Sequence, residues 1–505
     1  MAGSEEVIIS MEELHKMRKV VRKEAGQASS RGRDQPVISP EEAENRRIVV
    51  QAVEVTLGLT TCREERLNSI RKVRHDNDTS QFQIQKTRRI PKVPSMLKDT
   101  SLRDTNDCNK YFEPMMVSIG PYHYGEDKLK PGETLKLKLT QQFFNDGKQQ
   151  LIDAWYDKIF AEINNLRGCY DEESTKNYDD ETLTWMLFVD GCSVLRYIQC
   201  DVEVKLNDLK IQNHEIVFMR KDLFLLENQL PFQVLKLLMS YPIYEADKGK
   251  DLIEKFILKN VETPERKGWQ QQWRQQWQQF WQQQQRQEKE PSHLLELLRR
   301  GLLGPKSRNS SQITDKIRGD DWQSFRHVAE LRAAGIYFHR SKTNFLNDIS
   351  FNPCCIYGYV KLPPISVDDS TKAKFLNLVA YEMSPDFENN MEVTSYICFL
   401  DSLIDQPDDV KNLRKKYILH NFLGSDEEVA KLFNEIATYL MPNPDIYRDV
   451  KLGIQKHYDD KGKAWMAEFL YKRFRSPWTI IAFIAAFLAF VMTGIQTFCT
   501  VRKCN

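Results

Sequence analysis

The sequence has 505 residues, and its 72 lysines and arginines nearly balance its 71 aspartates and glutamates, leaving a net charge of +1 at pH 7. This balance gives no general reason to expect nucleic acid as a partner. Hydrophobic residues make up 41% and charged residues 28% of the chain, as in ordinary globular proteins. Ten cysteines are too sparse for a disulfide scaffold, so we interpret them as mostly reduced thiols of a cytosolic body.

Residues 1–85 are interpreted as a variable N-terminal arm that is partly disordered. Its start, MAGSEEVIISMEELHKMRKVVRKEAG, is charged almost throughout and lacks the apolar region of a signal peptide. A helix is predicted after Ser39, because Pro40 suits the first helical position and Glu41 and Glu42 favour a helix N-terminus. Basic residues slightly outnumber acids, so a nucleic-acid-binding tail is the alternative to a solvated arm.

Prolines interrupt residues 86–125 and exclude long helices there. The block SIGPYHYG at 118–125 places His123 between two tyrosines. A histidine in this setting is a candidate base or metal ligand. The alternative is a packed histidine in a hydrogen-bonded turn, which is the commoner use of such a residue.

From residue 135 to residue 240 the apolar spacing predicts helices. The segment 183–198 is apolar on nearly all faces, which is typical of a core helix, and its length and Asp190 argue against a membrane span. Cys192 is a candidate nucleophile. A buried cysteine that packs as a small hydrophobe is the alternative.

Residues 221–240, KDLFLLENQLPFQVLKLLMS, predict one helix with a kink. Pro231 removes a backbone donor and bends the helix near Glu227, so that Glu227 and Asn228 cap its second half. Asp222 and Glu227 are conceivable functional acids, and a structural role is the alternative for both.

Residues 264–290 are an insert rich in tryptophan and glutamine. An α-helix would carry its regularly spaced tryptophans as one stripe. They are Trp269, Trp273, Trp277 and Trp281. Packing on the domain, gripping a partner helix as a coiled coil does, and lying at a membrane interface all fit this stripe. We interpret the segment as an exposed, partly helical insert, and a partner or self-association surface formed by these indoles is the second choice.

Residues 345–367 carry the clearest β signal, because apolar and polar residues alternate on both sides of Asn352 to Cys355, as in a hairpin. The segment FRHVAELRAAGIYFHR at 325–340 is predicted to begin as a helix that runs out at Gly335, and helices are predicted again over 371–470. The predicted fold is therefore mainly α (α+β): one large helical domain over 86–470 with a small β-hairpin.

The last apolar run extends from Trp478 to Val501 without a charge. As a helix it would reach about 36 Å, which spans a hydrocarbon core of about 30 Å. A buried core helix is the alternative. We expect a single-pass, tail-anchored protein with a cytosolic body and a transmembrane helix at 477–501. The anchor residues are Trp478, Ile481, Ile484, Phe487, Phe490 and Gly494.

These blocks together resemble one known family. SIGPYHYG at 118–125, FVDGCSVL at 188–195 and DLFLLENQLPF at 222–232 are similar to signature blocks of the plant proteins of unknown function called DUF247, or UPF0481. Later blocks match in order: HLLELLRR at 293–300, ELRAAGIYF at 330–338, SYICFLDSLID at 395–405, LHNFLGSDEEVAKLFNEI at 419–436 and SPWTIIAFIAAFLAF at 476–490. The resemblance covers roughly residues 86–500.

The resemblance implies a plant protein with one large, mainly helical domain and a C-terminal transmembrane helix. It implies no established catalytic residues, and the part that some members play in grass self-incompatibility implies recognition. Tyr124 departs from the family pattern, which commonly has histidine there, and this departure weakens a paired-histidine metal site.

The sequence contains no phosphate-loop, dinucleotide-binding, GxSxG or HExxH motif and no Cys/His cluster with zinc spacing. We therefore assign no catalytic, cofactor-binding or metal-binding residues. The predicted function is a membrane-anchored interaction or recognition protein, whose partners are the lipid bilayer and an unidentified protein. One alternative is an enzyme without a recognised motif that uses His123, Asp190 or Glu227. The other is a membrane scaffold that forms homo-oligomers.

Overall fold

The computed structural model describes residues 89–98, 109–144, 151–209, 211–240, 248–263, 267–286, 290–305, 326–354, 357–385, 391–438, 440–460 and 477–503. All of them belong to the unit of the chain that spans residues 82–505. The predicted arm 1–85 lies outside the described residues. Helices dominate and two small sheets accompany them, which confirms the predicted mainly α fold with a minor β component.

The first half of the described chain is helical. Its helices are α1 (Ser95–Lys98), α2 (Lys130–Phe144), α3 (Ile152–Ala161), α4 (Ile163–Arg167), α5 (Glu172–Thr175), α6 (Asp180–Val202), α7 (Asn213–Asp222), α8 (Phe232–Leu238), α9 (Lys248–Val261) and α10 (Lys267–Arg286). Helix α6 is the centre, because α2, α3, α8 and α9 all pack against it. Its side chains are buried on almost every face, as its apolar sequence predicts. Asp179 caps α6 by accepting a hydrogen bond from the backbone N–H of Thr182.

The chain between α7 and α8 is the main departure from the predicted helices. Helix α7 ends at Asp222, α8 begins at Phe232, and the residues between them are turns and irregular backbone. Pro231 stands at the N-cap of α8, where its missing N–H costs nothing. The single kinked helix predicted for 221–240 is therefore wrong.

The second half mixes helices with short strands. Its elements are α11 (Leu294–Leu303), α12 (Val328–Ala333), β1 (Ile336–Arg340), β2 (Ser350–Pro353), β3 (Gly358–Leu362), β4 (Ile365–Val367), α13 (Thr371–Glu382), α14 (Glu392–Leu403), α15 (Pro407–Lys415), β5 (Leu419–Asn421), α16 (Asp426–Ala437), α17 (Arg448–Asp459) and α18 (Pro477–Lys503). Strands β2 and β3 pair antiparallel, which confirms the hairpin. Strand β1 pairs with β3 in parallel, and β4 with β5. The helix predicted before β1 ends at Gly335, close to the observed end of α12 at Ala333, but the sequence analysis did not recognise β1 as a strand.

Helix α10 turns its aromatic stripe into the core. Trp273 is 1% exposed and Trp277 is fully buried. The ring of Trp277 stacks on Phe345 at a centroid distance of 6.3 Å. It also lies over Gly301, where an added Cβ would stand 2.7 Å from the indole. The packing role that the sequence left open fits these two indoles, whereas an exposed insert or partner surface does not. Trp281 is half-buried, and the side chain of Trp269 lies outside the described residues.

Helix α18 differs from the rest because it exposes its apolar residues. Residues Ile481–Arg502 form a segment of 22 residues with a mean hydropathy of 2.0, long and apolar enough to cross a membrane, and none of it is buried in the chain. The predicted anchor residues Ile481, Ile484, Phe487 and Phe490 are all more than half exposed. This exposure argues against the core-helix alternative. Gly494 lies in the same helix, and the side chain of Trp478 lies outside the described residues.

If α10 is part of the core, Trp277→Ala should lower the free energy of unfolding by about 3–5 kcal/mol, because it removes a fully buried indole and leaves a cavity. Gln278→Ala on the exposed side of the same helix is the control and should change it by less than about 0.5 kcal/mol. Urea unfolding of the full chain in detergent measures both variants. Equal stability of the two variants would show that the insert is an accessory to the fold.

Candidate functional site

A buried polar network joins two irregular segments of the core. One is the chain of residues 115–125, and the other is the connection between α7 and α8. Buried backbone groups that lie outside helices and sheets need side-chain partners. Asp222, at the end of α7, supplies the first of them: its carboxylate accepts hydrogen bonds from the amides of residues 115, 116 and 117 at 2.7–3.0 Å. Burial raises the pKa of Asp222 to about 6, although these three bonds favour the carboxylate.

Asn228 and Gln229 extend the network in opposite directions. The amide oxygen of Asn228 accepts from the N–H of Ile119 at 2.7 Å, and its nitrogen donates to the carbonyl of Val117 at 3.1 Å. The nitrogen of Gln229 donates to the carbonyls of Leu223 and Leu225, and its oxygen accepts from the N–H of Leu295. Gln229 therefore ties the connection between α7 and α8 to the first turn of α11.

Asp190 and Lys136 form a buried ion pair on the other side of residues 118–120. Nζ of Lys136 lies 2.5 Å from Asp190 and donates to the carbonyl of Ser118 at 2.8 Å. The second carboxylate oxygen of Asp190 accepts from the N–H of Gly120 at 2.8 Å. Burial lowers the pKa of Lys136, but the charges of Asp190 and Glu133 outweigh burial and hold that pKa above its usual value. The charged form of the lysine is therefore favoured, and the charged amine is not nucleophilic.

Glu227 and His123 meet at the edge of the network. Glu227 accepts from the backbone N–H of Val93 at 2.8 Å and from Nζ of Lys98 at 2.7 Å, so it holds the chain before and within α1. His123 is 7% exposed, and its Nδ1 lies 2.7 Å from Glu126. Its Nε2 lies 3.8 Å from Glu227. The structure thus brings His123 and Glu227 together, and it places His123 in a hydrogen-bonded turn. Asp190 contacts the same segment, but through Gly120.

The side chains of this network are placed to stabilise the main chain rather than to take part in a chemical reaction. The carboxylates of Asp190, Asp222 and Glu227 each accept hydrogen bonds from buried backbone N–H groups or from lysines. Cys192 is fully buried, and burial raises the pKa of its thiol well above the usual value, which keeps it in the unreactive thiol form. Among the described residues, no three His, Cys, Asp or Glu side chains come together as a metal ion would require.

Besides Gln229, two members of the network were missed by sequence reasoning. One is Lys136. The other is Asn377 of α13, whose amide accepts from the N–H of Leu226 at 2.8 Å and donates to the carbonyl of Tyr111 at 2.8 Å. Each of the two is a polar residue within an apolar run, in LKLKL and in FLNLVA. That interruption is the signal that could have identified them, because a buried polar residue needs a bonded partner.

A second buried polar group caps α11. His293 is fully buried, and its Nδ1 accepts from the backbone N–H of Glu296. Burial lowers the pKa of His293 to about 4. The carboxylate of Glu296 accepts in turn from the N–H of Ser292 and pairs with Arg300. The imidazole is thus neutral in the folded protein at pH 7 and serves as a helix cap.

One buried network therefore lies among the blocks at 118–125, 188–195, 222–232 and 293–300. The order of these blocks along the chain and the helices around them define a single class of protein. The chain belongs to the DUF247 family, described as a plant protein of unknown function, which matches residues 90–492. It is 26% identical over 418 residues to the UPF0481 protein At3g47200 of Arabidopsis thaliana, covering 77% of this chain and 82% of the relative. It is 20% identical over 467 residues to the putative UPF0481 protein At3g02645 of the same plant, covering 77% and 86% respectively. No solved structure matches the chain.

The packing around Gly120 leaves no room for a larger side chain, so a substitution there tests the packing of the network. Its φ is +75°, and an added Cβ would stand 2.9 Å from the carbonyl oxygen of Gln229 and from the hydroxyl of Tyr170. Gly125 also has a positive φ, +85°, but a Cβ there would meet nothing within 4 Å. Gly125→Ala should therefore cost about 1–2 kcal/mol of backbone strain alone. Gly120→Ala should cost about 1–3 kcal/mol more, because it also overpacks the core.

Thermal or urea unfolding of the two glycine variants measures this difference. If both lose the same stability, the contact between Gly120 and Gln229 is not a constraint on the fold.

His293 predicts a specific dependence of stability on pH. Its pKa is about 4 in the folded chain and about 6.5 when unfolded, so the unfolded chain takes up the proton first as the pH falls. The contribution of the neutral imidazole to the free energy of unfolding is complete above pH 6.5. Roughly 3 kcal/mol of it is lost between pH 6.5 and pH 4.

The control for His293 is His293→Asn, which keeps a capping side chain but does not titrate in this range. The wild type should lose stability relative to the variant as the pH falls through that window. Unfolding curves that stay parallel from pH 7 to pH 4 would contradict this assignment. Comparing the two proteins removes the contributions of all other titrating groups.

Proposed function

We propose that this chain is a membrane-anchored protein whose helical body acts by binding another protein. The observation that carries the anchor is α18, which exposes its apolar side chains along the 22 residues of Ile481–Arg502. The body, in contrast, buries its apolar residues around α6. The surface of the body therefore suits water, whereas the surface of α18 suits an apolar medium. A bilayer is the solvent that suits α18.

The proposal of binding rather than catalysis is supported by the way the acids are used. Asp190, Asp222 and Glu227 were the acids that the sequence offered for chemistry. Each accepts hydrogen bonds from this chain's own backbone, and Asp190 and Asp222 are fully buried. A general acid or base must reach a substrate proton, directly or through one water. These groups are positioned instead to fix main chain.

An enzyme without a recognised motif is the alternative that a specific observation favours. His123 lies between Glu126 and Glu227, an arrangement that can orient an imidazole. However, Nε2 of His123 is itself buried within the chain. The scaffold alternative, in which α10 drives homo-oligomers through its tryptophans, has less support because Trp273 and Trp277 already fill the core.

The anchor can be tested by placing charge in it. The double variant Ile484→Arg with Leu488→Arg adds about 5–7 kcal/mol to the cost of insertion, which offsets the gain expected from the apolar residues of the helix. The control is Val217→Arg with Leu452→Arg, two exposed apolar residues of the body. After alkaline extraction of membranes, wild type and control should stay in the pellet, and the α18 variant should move to the supernatant.

Wild-type protein released by alkaline extraction would reject the membrane anchor. Tags at both ends and protease treatment of intact membranes then report the topology of a protein that stays in the pellet. Digestion of the N-terminal tag with protection of the C-terminal tag would support a cytosolic body. The reverse pattern would place the body on the opposite side and reject the cytosolic assignment.

A further inference from the structure

The outer face of the three-stranded sheet is aromatic where a solvent-facing sheet surface is normally polar. Side chains alternate along β1 and β3, so Ile336 and Phe338 point into the core and their neighbours point outward. We call the outward set the aromatic face; it consists of Tyr337, His339, Tyr357, Tyr359 and Lys361.

The rings of the aromatic face form one continuous cluster. Tyr337 and Tyr359 are direct neighbours on β1 and β3, and their ring centroids are 6.4 Å apart. Tyr357 contacts both of these rings, at 6.4 Å from Tyr337 and 5.0 Å from Tyr359. His339 packs edge-on against Tyr359 at 4.6 Å. The cluster is therefore held in place before any partner arrives.

Stabilising the sheet explains only part of the reason for an aromatic cluster at this position. Cross-strand aromatic pairs contribute to a sheet through the surfaces they bury against each other. Tyr337 remains 36% exposed and Tyr357 38% exposed after those contacts are made. Fixed, half-exposed tyrosines are typical of the energetic centre of a protein interface, because little conformational entropy is lost when they bind.

The charge around the cluster indicates the sign of the partner. Lys361 is exposed and is the direct cross-strand neighbour of His339. Lys416, at the end of α15, is also exposed. Burial first, and then the positive charges of Lys416 and Lys361, lower the pKa of His339. A positive field next to this cluster of rings complements an anionic partner.

We propose that the aromatic face is a docking surface for an acidic segment of a partner protein, in which Asp or Glu residues flank aromatic or proline side chains. Flat apolar side chains match the tyrosine rings, and the carboxylates pair with the two lysines at the rim. Single-stranded nucleic acid also stacks on tyrosines, but it needs a basic groove that follows several phosphates. Lys361 and Lys416 are too few to form such a groove, so the charge favours a protein as the partner.

This inference rests on the proposal that the chain acts by binding a protein, and it names the surface and the chemistry of the partner. The test uses the full chain in nanodiscs and a phage library of random dodecapeptides. Selected peptides should be enriched in Asp and Glu next to Pro, Phe, Tyr or Trp. Fluorescence anisotropy with synthetic copies of these peptides then measures binding to wild type and to variants.

Two variants address the aromatic face from different sides. Tyr337→Ser combined with Tyr357→Ser removes exposed rings, and Lys361→Glu reverses an exposed charge without touching the core. Each should weaken peptide binding by about tenfold or more, which is about 1.4 kcal/mol, because residues at the centre of an interface carry most of the binding energy. Phe422→Ser and Lys138→Glu change an exposed ring and an exposed lysine elsewhere, and they should leave binding unchanged.

The proposal is overturned if the selected peptides lack acidic residues, or if they bind the variants as tightly as wild type. It is also overturned if no selected peptide binds wild type. Labelled oligouridylate of thirty nucleotides is the second probe, and binding that the same variants abolish would assign the face to nucleic acid instead. Acidic peptides that bind elsewhere on the chain would overturn this surface and leave the proposed function standing.

Discussion

The fold depends on one constraint: the buried chain between α7 and α8 is not helical, so its backbone needs hydrogen-bond partners from side chains. Asn228 and Gln229 supply partners from within that connection, and Asn377 supplies one from the second half of the chain, while Asp222 at its start bonds the backbone of residues 115–117. Because the same side chains also bond residues 115–119 and α11, a single polar network fixes the relative positions of elements far apart in sequence. A buried network of this kind specifies one arrangement only when its members are satisfied together.

This constraint explains why membership of the family says more about fold than about chemistry. The blocks through which the chain resembles DUF247 proteins contain Asp190, Asp222 and Glu227, and these acids hold backbone. Their polar character is required because a buried, irregular main chain cannot be satisfied by apolar residues. A sequence signature of this type marks the residues that connect the structural elements of the fold. The fold therefore does not define the function, which has to be sought in surfaces that this network does not use.

Elements set by local periodicity could be predicted from the sequence, and elements set by distant contacts could not. The all-round apolar pattern of α6 and the alternation around β2 and β3 identified those elements correctly. Strand β1 was not recognised, because its pairing partner β3 lies beyond β2 in sequence. The tryptophans of α10 formed the stripe that their spacing predicts, but only the positions of Phe345 and Gly301 show that the stripe faces inward. Lys136 interrupts the apolar residues of LKLKL, but the sequence did not show its partner, since Asp190 lies on another helix.

Among the described residues, two exposed apolar surfaces carry the proposals made above, and they differ in what can cover them. Helix α18 exposes Ile, Leu and Phe side chains that have no polar atoms, so an apolar medium such as lipid suits them. The aromatic face exposes tyrosines, whose hydroxyl groups tolerate water when the surface is free. The first surface therefore suits permanent attachment, and the second suits a partner that binds and leaves. The two proposals therefore fit together, because a protein anchored through the first surface keeps the second surface available for partners that exchange.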